Sequence, residues 1–233
     1  MKTRLPLLLA ASLILLSSCA VTENLALSMP GGSCEAGIHV APFFLDVLYD
    51  FAEFLPEDAD ENLMDASMDG FVAELERKQA VTEPAYVKTG EYDYILTFSY
   101  ESLDQFSSAY GIEDQTLLTQ DGNSFSFYLD IDNYAELKSI VSFLRNPNFE
   151  VYGPDYNQGM SEEDYLDMIY FLLGEEGPDA ISEGTITAVI TVPGTVVSAE
   201  RAEIIDERTI SSSFPLIDFL LLAEPISFSV TWN

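Results

Sequence analysis

One thiol, Cys19, is placed for covalent chemistry by the residues before it. Leu16-Ser17-Ser18-Cys19 runs aliphatic, small, small, cysteine. Leu5 to Leu16 is nearly unbroken apolar sequence, and Lys2 and Arg4 put positive charge ahead of it. At ~1.5 Å per helical residue that run is too short for the ~30 Å hydrocarbon core of a bilayer. A charged start, a short apolar stretch and small residues before a cut site make a secretory signal peptide. The pattern predicts residues 1–18 as signal and residues 19–233 as one extracytoplasmic domain.

The other reactive side chains are sparse. His39 is the single histidine, so a histidine-based metal cluster or a Ser-His-Asp relay has little to build on. Gly31-Gly32-Ser33-Cys34-Glu35-Ala36-Gly37 matches neither a nucleophile elbow nor a phosphate loop. Forty carboxylates make close acidic pairs inevitable by chance, so spacing alone assigns no glycosidase-type dyad. Asp58-x-Asp60-x-Asn62 with Asp69 echoes a calcium loop. Leu63 stands where such a loop needs glycine, however, and Asp69 where it uses a longer glutamate. A solvated acidic loop is the favoured reading. No catalytic residue, metal ligand or cofactor is expected. Cys34, left without an intramolecular partner if Cys19 carries lipid, is expected as a small buried hydrophobe.

Leu16–Cys19 resembles the lipobox of bacterial lipoproteins. That resemblance implies a diacylglyceryl group on the Cys19 thiol and cleavage just before it. One acyl chain holds a membrane marginally, at ~0.8 kcal/mol per buried methylene, whereas two or three hold it stably. The expected location is the extracytoplasmic face of the cell membrane or outer membrane. Beyond residue 18 there are seven basic side chains against 40 acidic ones, a formal charge of −33. Phosphate-rich partners are repelled, which excludes nucleic acid. With 48% hydrophobic and 12% aromatic residues the chain is not disordered.

Local patterns then set the elements. Leu25, Leu27 and Met29 alternate, Pro30-Gly31-Gly32 turns, and Cys34, Ala36, Ile38 and Val40 alternate again, which predicts a β-hairpin. Helical spacing follows at Phe44, Val47, Leu48, Phe51, Phe54 and Leu55, and again from Leu63 to Leu75. Tyr92, Tyr94, Leu96, Phe98 and Tyr100 alternate as a strand, as do Phe125 to Ile131. Ser102-x-x-Gln105, Asn133-x-x-Glu136 and Ser161-x-x-Asp164 each mark a helix start. The last third reads as strands at 184–192, 195–198, 209–212 and 226–232, with a short helix at 215–222. The expected fold is α+β: an antiparallel β-sheet with helices packed on one face.

Several strings resemble the LppM-like family of bacterial envelope lipoproteins: "DYILTFSYESLDQF" at 93–106, "FSFYLDI" at 125–131, and "ITAVITVPGTVVSA" at 186–199 followed by "FSVTW" at 228–232. The stretch after Val197, "AERAEIIDER" within 199–208, departs from the family pattern. The resemblance implies an anchored α+β domain with lipid or glycolipid binding and no catalytic residues. The aromatic surplus adds Phe44, Phe51, Tyr94 and Phe98 as candidates to line an apolar pocket between helices and sheet. Two functions follow. The first is a non-catalytic, membrane-anchored envelope lipoprotein holding a lipid or other apolar ligand at that interface. The second is a structural lipoprotein that binds another envelope protein through its surface.

Overall fold

The computed structural model describes residues 22–28, 31–39, 63–145 and 150–233. The predicted helix over 44–55, most of the acidic loop and the 1–18 signal with Cys19 lie outside the described residues. The chain is α+β, as its periodicities require. The strands form a seven-stranded sheet, in the order Val81–Lys88, Asp93–Tyr100, Gly32–His39, Thr22–Ser28, Thr185–Thr191, Thr209–Pro215 and Glu203–Asp206, and a four-stranded sheet.

The expected hairpin is present. β1 (Thr22–Ser28) and β2 (Gly32–His39) pair antiparallel, with Leu25 opposite Ala36 and Leu27 opposite Cys34. β2 then pairs with β4 (Asp93–Tyr100), and β4 with the edge strand β3 (Val81–Lys88). On the other side β1 lies parallel to β7 (Thr185–Thr191), the one parallel pair among the described strands. β10 (Thr209–Pro215) and the four-residue β9 (Glu203–Asp206) complete this sheet.

The second sheet holds β5 (Leu118–Asp121), β6 (Ser124–Leu129), β8 (Val196–Glu200) and β11 (Ile226–Trp232), all antiparallel. Pro193-Gly194 therefore does not fold β7 back on itself as a hairpin: the chain changes sheets there. The reason is local. A Cβ on Gly194 would meet the backbone oxygen of Asn233 at 1.9 Å, so this turn packs tightly against the end of β11.

Alternation puts Cys34, Tyr100, Ala188, Ile190 and Ile210 of the large sheet on one face, and the second sheet packs there with Phe125, Phe228, Val230 and Trp232. Helices cover the rest of the same face. α1 (Leu63–Leu75) lies over β3 and β4 through Met68 and Leu75. α2 (Leu103–Ala109) is capped as expected, Ser102 accepting a bond from the Gln105 backbone N–H at 3.3 Å. α3 (Tyr134–Ile140) is not capped by Asn133, whose side chain instead binds the Asp130 N–H, Thr116 and the Tyr128 carbonyl.

α4 (Pro154–Asn157), α5 (Glu162–Leu173), α6 (Glu176–Glu183) and α7 (Leu216–Leu221) follow. The last three share a core of Tyr165, Ile169, Ile181 and Leu216. The outer face of β7, with Thr187, Val189 and Thr191, is half-buried.

Candidate functional site

Tyr94 and Phe98 fall on one face of β4, two residues apart, and α1 covers the Tyr94 end. Met68 and Leu75 point from α1 into the sheet, while Asp65 and Asp69, one helical turn apart, flank them. Cross-strand register sets Tyr86 opposite Leu96 and Lys88 opposite Tyr94, so β3 offers both polar tips to the same helix flank. The Tyr94 hydroxyl donates to Asp65 Oδ1 at 2.8 Å, Lys88 Nζ donates to the same oxygen at 3.3 Å, and Tyr86 donates to Asp69 Oδ1 at 3.1 Å.

Burial raises the Tyr94 phenol above its ordinary range, Lys88 opposes this and Asp65 adds to it. Tyr86 is raised by burial and then by its bond to Asp69. Contact with the Tyr94 hydroxyl is the chief cause that raises Lys88. The arrangement fastens a helix to a sheet edge. Tyr94 itself is 1% exposed and its polar atom is satisfied by the chain.

Phe98 is half-buried and stacked on Phe106, with ring centroids 6.0 Å apart and planes within 7°. Tyr100 and Tyr110 close the aromatic group against Phe106 at 6.0 and 5.0 Å. Phe98 therefore joins the clusters under α1 and under the second sheet. Tyr94 and Phe98 are brought together within this packed layer. Phe44, Phe51 and Cys19 lie outside the described residues. The partners Asp65, Lys88, Tyr86 and Phe106 were not singled out from sequence, because they meet Tyr94 and Phe98 only through tertiary contact.

The remaining reactive residues are placed as follows. His39 Nδ1 is 2.7 Å from Asp93 Oδ1 across the β2–β4 pair, both side chains roughly half exposed. Cys34 is buried and its thiol is pushed up to about 12 by burial and then by Glu35, which keeps it a thiol at neutral pH. Asp69, the last residue of the calcium-like string, sits within α1 and takes the Tyr86 bond.

Among the described residues no three His, Cys, Asp or Glu side chains converge to hold a metal ion. Two open surface hollows stand apart from Tyr94 and Phe98. One of about 460 Å³ is lined by Thr191 and residues 206–209, and one of about 340 Å³ by residues 111–115 and Glu136. Both are rimmed by charged side chains, which suits water better than an apolar ligand.

The lysines share one use. Lys78, Lys88 and Lys138, the three beyond residue 18, stand 4.1, 5.2 and 5.5 Å from the ring centres of Tyr110, Tyr94 and Tyr134. Each also binds a second group: the Ala109 carbonyl, Asp65 and Asp155 respectively. These three lysines are thus committed to joining elements, and carboxylates outnumber basic side chains by 40 to 9 in the chain. The melting temperature should therefore rise as NaCl increases from 0.01 M, where the Debye length is ~30 Å, to 0.1 M, where it is ~10 Å. A flat or falling melting temperature would contradict this.

No family model matches the chain, and no curated protein matches it. Among solved structures, the folded domain of Mycobacterium tuberculosis LppM, determined by NMR, is similar with a TM-score of 0.40 at 11% identity, over 92% of this chain and 88% of that one.

Proposed function

We propose that the chain is a membrane-anchored, non-catalytic envelope lipoprotein whose folded domain acts through its surface on another envelope protein. The observation that carries the anchor is Leu16-Ser17-Ser18-Cys19 at the end of a short apolar run. Two further features support the surface reading. The described part of the helix–sheet interface is filled by the chain's own side chains, Met68, Leu75, Tyr94 and Leu96. Its polar groups are engaged in fastening α1. No helix of the described residues is long and apolar enough to cross a membrane. The domain then sits on the extracytoplasmic face of the cell membrane or outer membrane, with no nucleic acid among its partners, since a charge of −33 repels phosphate.

Fractionation of cells expressing the full chain or Cys19→Ala tests the anchor. The parent is expected in the membrane fraction and the variant in the soluble fraction. Equal membrane retention of both would end the lipoprotein reading.

A second reading, an apolar or glycolipid ligand between helices and sheet, draws on two separate features: the helical spacing of Phe44 and Phe51 in the sequence, and the shared strand face of Tyr94 and Phe98. Binding there would stabilise the domain by about 2.7 kcal/mol at a hundredfold excess over the dissociation constant. A thermal-shift series with fatty acids, phospholipids and glycolipids separates the readings. A shift that Phe51→Ala reduces selects the ligand, and no shift with any class selects the surface.

A further inference from the structure

The C-terminal half of α5 exposes three consecutive large apolar side chains, Tyr170, Phe171 and Leu172, and Phe171 is 86% exposed. The helix had no need to leave them there. Its buried stripe is already complete in Tyr165, Ile169 and Leu173, spaced four apart and packed on α6 and α7. Asp164 and Asp167 share the outer face with Phe171, at seven and four residues before it, and both are exposed. Glu175 and Glu176 follow directly after the Gly174 reversal and are exposed too. From Ser161 to Gly184 the chain carries eight carboxylates and no Lys, Arg or His.

An exposed aromatic framed by one sign of charge restricts what can cover it. A second copy of this face would bring eight more carboxylates against the first eight, and like charges brought together are costly. An anionic lipid surface is repelled in the same way. A cationic protein surface meets both needs: an apolar socket for the ring, and basic side chains at its rim for Asp164, Asp167, Glu175 and Glu176. Buried aromatics ringed by complementary polar groups are the usual anchors of such contacts.

We propose that α5 is the docking face of this protein, with Phe171 as its anchor, for a protein partner that presents an apolar socket bordered by Lys or Arg. The proposal rests on the surface-interaction reading given above and names the surface and its partner's chemistry.

The test uses the full chain in nanodiscs of phosphatidylcholine. The probe is a synthetic amphipathic helix of leucine and lysine, with its leucine and glutamate counterpart as control. Phe171→Ser is expected to weaken binding of the lysine probe at least tenfold. Val197→Ser, at a site 62% exposed on β8, should change it by less than twofold. Asp164→Asn with Asp167→Asn should weaken it more than the equal charge change Glu113→Gln with Asp114→Asn. The glutamate probe should not bind.

Equal losses for Phe171→Ser and Val197→Ser, or equal losses for the two charge pairs, would overturn the proposal, since binding would then be general attraction to an acidic protein. Phe171-dependent binding to vesicles of phosphatidylglycerol, with none to the lysine probe, would overturn it in favour of a membrane. Fractionation of Cys19→Ala stays independent of these results: loss of the anchor reading leaves a Phe171-dependent probe effect standing, and the reverse also holds.

Discussion

Phe125→Ala is expected to cost about 3–5 kcal/mol, a large share of the ~5–15 kcal/mol by which a domain is stable. Phe125 is 0% exposed and lies on β6 with its ring 6.3 Å from that of Phe228 on β11. Both rings face Cys34, Ile190 and Ile210 of the seven-stranded sheet. Removing the ring leaves a void between two sheets, and two sheets close such a gap less readily than a helix that can slide. Urea unfolding followed by far-ultraviolet dichroism reads the loss. Tyr128→Ala, three residues along the same strand and 42% exposed, is the control and should stay within about 0.5 kcal/mol. Equal effects of the two substitutions would show that the sheets do not pack through Phe125.

Raising the pH should unfold the protein from about pH 9 upward. Tyr110 is pushed up to about 12 by burial and then by Glu74, and Cys34 to about 12 by burial and then by Glu35. Burial is also the first cause that raises Tyr94, Tyr100 and Tyr134. In the unfolded chain these groups ionise near 9 for the thiol and 10 for the phenols. Above those values the unfolded state binds fewer protons than the folded one, so stability falls as pH rises. The contribution is complete below pH 9 and lost as pH climbs toward 12. One fully withheld proton gives a slope of about 1.4 kcal/mol per pH unit. The raised Lys88 acts in the same direction, since its charged form is the one held in the fold. Melting temperatures at pH 8, 10 and 11, with phenolate absorbance followed alongside, check this. A melting temperature unchanged to pH 11 would show that these rings reach water.

Elements with a clear local period were legible in the sequence. Leu63–Leu75 and Glu162–Leu173 carry apolar stripes, the second opened by its Ser161 cap, and Ile226–Trp232 alternates without a break. β3 escaped because Pro84 interrupts it, and the structure shows why proline is tolerated: the ladder to β4 shifts register between Thr82 and Ala85, with Glu83 at φ 54°. α6 escaped because Gly177 and Pro178 lie in its first turn. Glycine is needed there, since a Cβ would meet the Ile169 side chain at 2.9 Å. β9 is too short and too exposed to show a period.

For the candidate site, the inward direction of Tyr94 and Phe98 was legible from alternation. Their engagement was not, because Asp65 lies 29 residues before Tyr94 and no local rule links a helix flank to a strand so far along the chain. The same limit hid Phe171. A helix reads as amphipathic whether or not its second apolar group finds cover.

The parallel pairing of β1 with β7 orders events in time. β1 gains β2 at once, through a turn of a few residues, but its other neighbour spans 185–191 and is made only after most of the chain. The middle of the seven-stranded sheet stays open until then, and closing so long a loop is slow. A chain of this kind has a high contact order and keeps its exposed strand edge through synthesis. The export proposed above would make late closure an advantage, because the sheet is sealed only once residues 185–191 have arrived.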